Sequence, residues 1–199
     1  GYVPAALEAE RPTRPLAERP NHIIYRGRPL PYWYGDLGRE KYVIGQGMRA
    51  ICEQRGVPCD IEWAEEARIY GDKWYDFLES GRATLGSESG SNVFDDHRHI
   101  MNGIKAALVE NPGLTYDEAR QRFLVEHEGK VRMNQVSPRV FEAIVSRTAL
   151  VLFRGEYSGV VQPDIHFIPL EKDFSNADEV LAKLQDLPAL EAMTQRAYQ

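Results

Sequence analysis

The chain has 199 residues, with 24 lysines and arginines against 30 aspartates and glutamates, for a formal net charge of −6. Its content, 43% hydrophobic and 27% charged, is that of an ordinary globular chain able to close a core. A net-acidic sequence without a Lys/Arg block argues against nucleic-acid binding, which needs clustered positive charge, and no run approaches the roughly 20 apolar residues of a membrane span.

Residues 1–20 carry Pro4, Pro12, Pro15 and Pro20, a density that excludes a continuous helix and predicts an extended arm or linker. This start is charged and lacks the apolar stretch of a signal peptide. Cys52 and Cys59 do not make a disulfide framework, so a reducing cytoplasm is expected.

From residue 21 to 199 the pattern is that of one domain. His22-Ile23-Ile24-Tyr25 reads as a buried strand that ends in the basic loop Arg26-Gly27-Arg28-Pro29. Asp36 to Glu53 reads as a helix, weakened locally by Gly45 and Gly47. Val57 to Trp63 is a second strand, Tyr70 to Ser80 a short helix ended by Gly81, and Ala83 to Gly86 a third strand running into the polar loop Ser87–Ser91. Residues 97–132 are helical and amphipathic, with Ile100, Ile104 and Leu108 on one face. Asn111-Pro112-Gly113 breaks this stretch, and Thr115 to Glu118 is a capping box opening a second helix through about Glu126. The pair reads as a helical insertion between two parts of a sheet domain.

Ser137 then N-caps a helix with Pro138 at its first position. Thr148 to Phe153 is a near-continuous apolar run, as in a strand buried on both faces. His166 to Leu170 is edge-like, because Pro169 cannot donate a ladder bond. Ser175 is expected to cap a helix packing Val180, Leu181 and Leu184, and a last helix covers roughly 188–198. Strand–helix alternation with buried strands predicts an α/β fold with a Rossmann-like parallel sheet.

In such a sheet, ligands sit at the carboxyl ends of the strands. That selects the loops 26–36, 86–96 and 154–165. The first carries Arg26 and Arg28, the second a Ser/Gly cluster, and the third Glu156-Tyr157-Ser158-Gly159. The Ser137-Pro138-Arg139 helix start adds unpaired N–H groups and a positive dipole end. Together these describe a diphosphate site, or equally the ordinary polar rim of an α/β domain. Asp95-Asp96-His97-Arg98-His99 mixes carboxylates and imidazoles, but no matching ligand cluster lies elsewhere, and no metal site is expected. Gly86-Ser87-Glu88-Ser89-Gly90 has the spacing of a hydrolase elbow with Glu88 at the centre where serine is needed. Tyr32-Trp33-Tyr34 can stack a base or sugar, or form a corner of the core.

Residues 137–187, with the helix carrying Glu142-Ala143, the buried strand, the Pro169 strand and the Asn176-Ala177-Asp178-Glu179 helix, resemble the donor-binding C-terminal half of "group 1" GT-B glycosyltransferases. Tyr25 to Leu30 followed by Lys41 is similar to that family's opening strand and glycine-basic loop. Phe77-Leu78 through Thr84 to Glu88 resembles its Ser-x-x-Glu-Gly block. The likeness covers most of 22–198 apart from the insertion, and is closest to glycosyltransferase-like proteins of bacterial surface-polysaccharide clusters.

The resemblance implies a single nucleotide-binding domain that takes a nucleotide-sugar donor for hexosyl transfer, without a bound metal or other cofactor. Glu142 would accept hydrogen bonds from the nucleotide ribose. Arg26, Gly27 and Arg28 would face the diphosphate, with Lys41 as a further candidate, and Ser89, Ser137, Arg139, Tyr157 and Ser158 would complete the donor set. The family pairs that glutamate with an earlier one. Asn134 stands at the earlier position here, and Glu88 is expected to take its place in space. A carbohydrate acceptor, and an N-terminal partner domain or a second copy supplying the catalytic base, are implied with it, at the inner face of the membrane. At this length the chain is too short for two full nucleotide-fold domains. The alternative is a non-catalytic α/β interaction module that binds a partner through the 97–132 helices.

Overall fold

The computed structural model describes residues 13–199. Five strands, β1 (Asn21–Arg26), β2 (Cys59–Glu62), β3 (Gly81–Gly86), β4 (Ala149–Phe153) and β5 (Ile168–Leu170), form one sheet in the order β2-β1-β3-β4-β5. Every pairing is parallel. Parallel neighbours cannot be joined by a tight turn, so helices carry the chain back across the sheet. These are α1 (Gly35–Arg55), α2 (Asp72–Leu78), α3 (His99–Glu110), α4 (Tyr116–Ala119), α5 (Pro138–Val145), α6 (Ala177–Lys183) and α7 (Leu187–Tyr198).

The two-residue period of the strands sorts their side chains into two cores. Ile23, Tyr25, Leu85, Val151 and Phe153 pack with Ile44 and Met48 of α1, Leu181 of α6 and Leu190 of α7. Ile24, Leu150 and Leu152 face the other way, onto Leu78 of α2 and Val140 and Ala143 of α5. Helices therefore cover both faces, and β4, buried at every residue, is apolar throughout. The Pro169 strand is an edge, as expected.

Two local expectations are corrected, on α6 and on the second insertion helix. Gly45 and Gly47, expected to weaken α1 locally, lie within it without a break. An added Cβ would come within 3.0 Å of the Tyr25 ring at Gly45 and 2.2 Å of the Phe174 ring at Gly47, so the lost propensity is offset by close approach. Asn176 rather than Ser175 precedes α6, because the Ser175 hydroxyl turns back to Asp173. The second insertion helix stops after Ala119 and continues as a π-type turn over Arg120–Leu124, although its capping box forms as predicted.

Of the proline-rich start, residues 1–12 lie outside the described residues, whereas 13–20 are docked. Arg19, 2% exposed, donates to the carbonyls of Arg14, Gly81 and Ser146 and to the Thr148 hydroxyl. It ties this segment to the amino-terminal ends of β3 and β4. Burial lowers its pKa to about 10, so it is still a cation at neutral pH.

The insertion closes on itself. Val93, Ile100, Ile104, Tyr116 and Leu124 form a small core with Tyr32 and Trp33, which makes the aromatic run a packing corner. Asp36 at the start of α1 fastens it by accepting from the Tyr116 hydroxyl at 2.7 Å and from Arg120 at 2.8 and 2.9 Å.

Candidate functional site

The chain leaves β1 toward β2 on one side and returns across it to β3 on the other. A crevice opens where the strand order reverses in this way, at the carboxyl ends of the strands. Two cavities lie there. An outer cleft of about 520 Å³ runs between the β1 loop, the 64–72 segment, α2 and α5. An inner pocket of about 210 Å³ reaches down to the ends of β3 and β4. Arg28, Trp74 and Arg139 line both, and so form the wall between them.

The first turn of α5 supplies the positive end. Pro138 sits at its first position and Ser137 makes no side-chain cap, so the turn presents N–H groups that the helix leaves unpaired. Arg139 projects from this turn, donates to the Arg26 carbonyl, and lies 5.4 Å from the centroid of the Trp74 ring. One turn further on, Glu142 lines the outer cleft, and its Oε2 accepts from the Trp74 indole N–H at 2.8 Å.

Three cations gather here with different commitments. Arg28 is exposed and, among the described residues, makes no hydrogen bond or ion pair. Lys41 borders the inner pocket and donates to the Ser89 hydroxyl at 2.7 Å. Burial, with the nearby Arg139, lowers its pKa. Among the described residues the inner pocket is lined by Arg28, Lys41 and Arg139 and by no carboxylate. A site of that kind suits an anion.

Arg26 is different. It pairs bidentately with Asp60 at 2.8 and 2.9 Å, donates to the carbonyls of Tyr25, Asp60 and Ala67, and stacks 4.2 Å from the Phe77 centroid. Its guanidinium braces β1 against β2 and the 64–67 turn, and Arg26 also lines the outer cleft. Gly27 lines the cleft between the two arginines. A Cβ there would stand 2.9 Å from the Tyr25 ring.

The remaining predicted residues form a latch beside the pocket. Glu88, 6% exposed, accepts from the Tyr157 amide at 2.9 Å and the Asn134 side chain at 2.6 Å. The two positions expected to be equivalent in space, 88 and 134, are thus in contact. Ser89 and Gln135 exchange backbone hydrogen bonds at 2.8 Å. Tyr157 is fully buried with its hydroxyl on the Phe153 carbonyl, and Ser158 is exposed and borders neither cavity. The structure brings Arg26, Gly27, Arg28, Lys41, Ser137, Arg139 and Glu142 together around the two cavities, sets Ser89 against Lys41, and leaves Glu88, Tyr157 and Ser158 outside.

Asp95 is a helix cap, accepting from the amides of Ile100 and Met101. Among the described residues no group of three His, Cys, Asp or Glu side chains is arranged to hold a metal ion. Sequence reasoning missed Trp74 and the 64–72 wall. A tryptophan at the end of a short helix was legible only as core. Its N–H needs a partner once half-buried, and that requirement was the available signal. The chain matches no protein-family model and no curated protein. Its site therefore has to be read from its own geometry.

Proposed function

We propose that this domain binds a nucleotide-sugar donor and serves as the donor half of a glycosyltransferase acting in surface-polysaccharide assembly. The observation that carries the reading is the placement of Glu142. It is an acceptor-only carboxylate on the cleft wall, one turn along from a helix N-terminus and beside Arg28 and Arg139. A nucleoside diphosphate has the matching polarity along its length. Its ribose hydroxyls donate, and its diphosphate needs cations and free N–H groups.

In this reading the nucleoside lies in the outer cleft along residues 64–72, and the ribose hydroxyls reach Glu142. The diphosphate bridges Arg28, Arg139 and the α5 start, with Lys41 at the inner end. Cations held in place beforehand would stabilise the charge that grows on the departing diphosphate. The acceptor sugar and the base that activates its hydroxyl come from a partner domain or a second copy. The interaction-module alternative would draw on Val109 and Val125, which are exposed on the insertion, while the insertion's buried apolar face is closed against Tyr32 and Trp33.

Thermal denaturation with and without uridine, guanosine and adenosine diphosphates tests the reading. A ligand at a hundredfold its Kd adds about 2.7 kcal/mol, which for a domain of this size raises Tm by roughly 5–10 °C. The matched nucleotide should do this, and Arg28→Ala with Arg139→Ala should abolish the rise. No shift with any of the three at millimolar concentration refutes it.

A further inference from the structure

We infer that Trp74 is a positioning residue that gives the cleft its preference for ribose over deoxyribose; this rests on the nucleotide reading of the site. The Trp74 indole has two neighbours against its rings, Phe77 stacked at 5.6 Å and 30° and Arg139 at 5.4 Å from the ring centroid. Its N–H is therefore fixed in direction, and it points to Glu142 Oε2 at 2.8 Å. A carboxylate offers about four acceptor sites, of which the indole takes one. Glu142 Oε1 makes no hydrogen bond among the described residues, and Glu142 borders the outer cleft. The result is a carboxylate clamped by one oxygen with the other available to a ligand. That arrangement suits the paired donors of a ribose 2′,3′-diol.

Without the indole N–H the clamp is lost. Arg139 and Glu142 stand three apart on one helix, a spacing at which opposite charges meet. A released Glu142 would pair with Arg139, and the ribose would lose its acceptor. Trp74 thus keeps a carboxylate and a guanidinium apart, so that one serves the sugar and the other the phosphate.

The test uses Trp74→Phe, which keeps the ring and removes the N–H. Affinities for uridine diphosphate, 2′-deoxyuridine diphosphate and inorganic pyrophosphate are measured by calorimetry on the whole protein, with the guanosine or adenosine pair substituted if one of those nucleotides binds instead. The wild type should favour the ribonucleotide about tenfold, equivalent to about 1.4 kcal/mol. In Trp74→Phe that ratio should fall to within twofold, and pyrophosphate affinity should fall with it, as Arg139 turns to the released Glu142. Adding Trp74→Phe to Glu142→Gln should cost no further selectivity.

A purely structural tryptophan would weaken both nucleotides alike and leave the ratio intact, and that result overturns the inference. Wild-type binding without ribose preference also overturns it while leaving the nucleotide reading standing. Failure to bind any nucleoside diphosphate removes both. If Trp74→Phe does not fold, the indole ¹⁵N–¹H resonance of Trp74 in the wild type decides. It should move with the ribonucleotide and stay with pyrophosphate, and equal movement with both refutes the assignment.

Discussion

Two arginines separated by one glycine have opposite duties. Arg26 ends β1, and its side chain turns into Asp60 and the carbonyls around it, whereas Arg28 is exposed on the loop and has no hydrogen-bond or ion-pair partner among the described residues. The prediction is a split phenotype. Arg26→Ala should lower the stability of the unliganded protein by about 2 kcal/mol, because buried carbonyls and a carboxylate lose their donor. Arg28→Ala should leave Tm unchanged and weaken diphosphate binding about tenfold, the worth of one charge-assisted contact. Urea melts and calorimetry separate the two; equal effects on stability would contradict the assignment. The deeper arginine is more consequential still. Arg19→Met would leave the carbonyls of Gly81 and Ser146 without their donor, at roughly 1–3 kcal/mol each. Its expected cost is about 3 kcal/mol or more, a Tm lower by roughly 6–12 °C. A loss under 1 kcal/mol would show that water replaces it.

At the scale of elements, the insertion is a semi-independent unit with its own small core, joined to α1 chiefly through Asp36. Burial raises the pKa of this carboxyl, but hydrogen bonds from Arg120 and Tyr116 and the Arg120 charge outweigh that, and the net shift is below its ordinary 3.8. A depressed folded pKa means that the unfolded chain binds the proton first on acidification. The Asp36 contribution is therefore complete above pH 3.8 and lost as pH falls through the lower folded value. Because both partners are over a third exposed, solvent screening holds the joint to about 1 kcal/mol. Asp36→Asn should accelerate amide exchange in α3 and α4 while the strands keep their protection. Uniform acceleration across the sheet would show that the insertion is not a separate unit. The Asp36 link was illegible in the sequence, since its partners lie 80 and 84 residues away. The capping box at Thr115 was legible because both halves lie within one turn.

For the whole molecule, the same division between local and distant signals decides what could be read. The apolar run of β4, the proline of the edge strand and the Ser137-Pro138 helix start each carry their own local cause, and each is found in place. From them the parallel α/β sheet follows, and with it the crevice. Which polar residues face the crevice followed only in part: Arg28, Ser137, Arg139 and Glu142 line it, and others do not. Tyr157 reads as a loop residue, yet a left-handed turn at φ 48° sends its ring into the core. Glu88 reads as a binding carboxylate, yet it is consumed by partners 46 and 69 residues away. Trp74 falls within a short helix with no polar signal of its own and stands on the wall of the cleft. Across the described residues, no helix is long and apolar enough to cross a membrane. The overall charge of −6 coexists with an inner pocket whose charged lining, among the described residues, is cationic. Placement of a few basic residues, rather than the balance of the chain, sets what this crevice can hold.

The most direct measurement is a crystal structure of the protein with a nucleoside diphosphate bound. The account predicts the ribose hydroxyls at about 2.6–3.0 Å from Glu142 Oε1. The phosphates should lie between Arg28, Arg139 and the α5 start, with Arg26 still on Asp60. A nucleotide bound elsewhere, or held by Arg26 with Glu142 untouched, would contradict it.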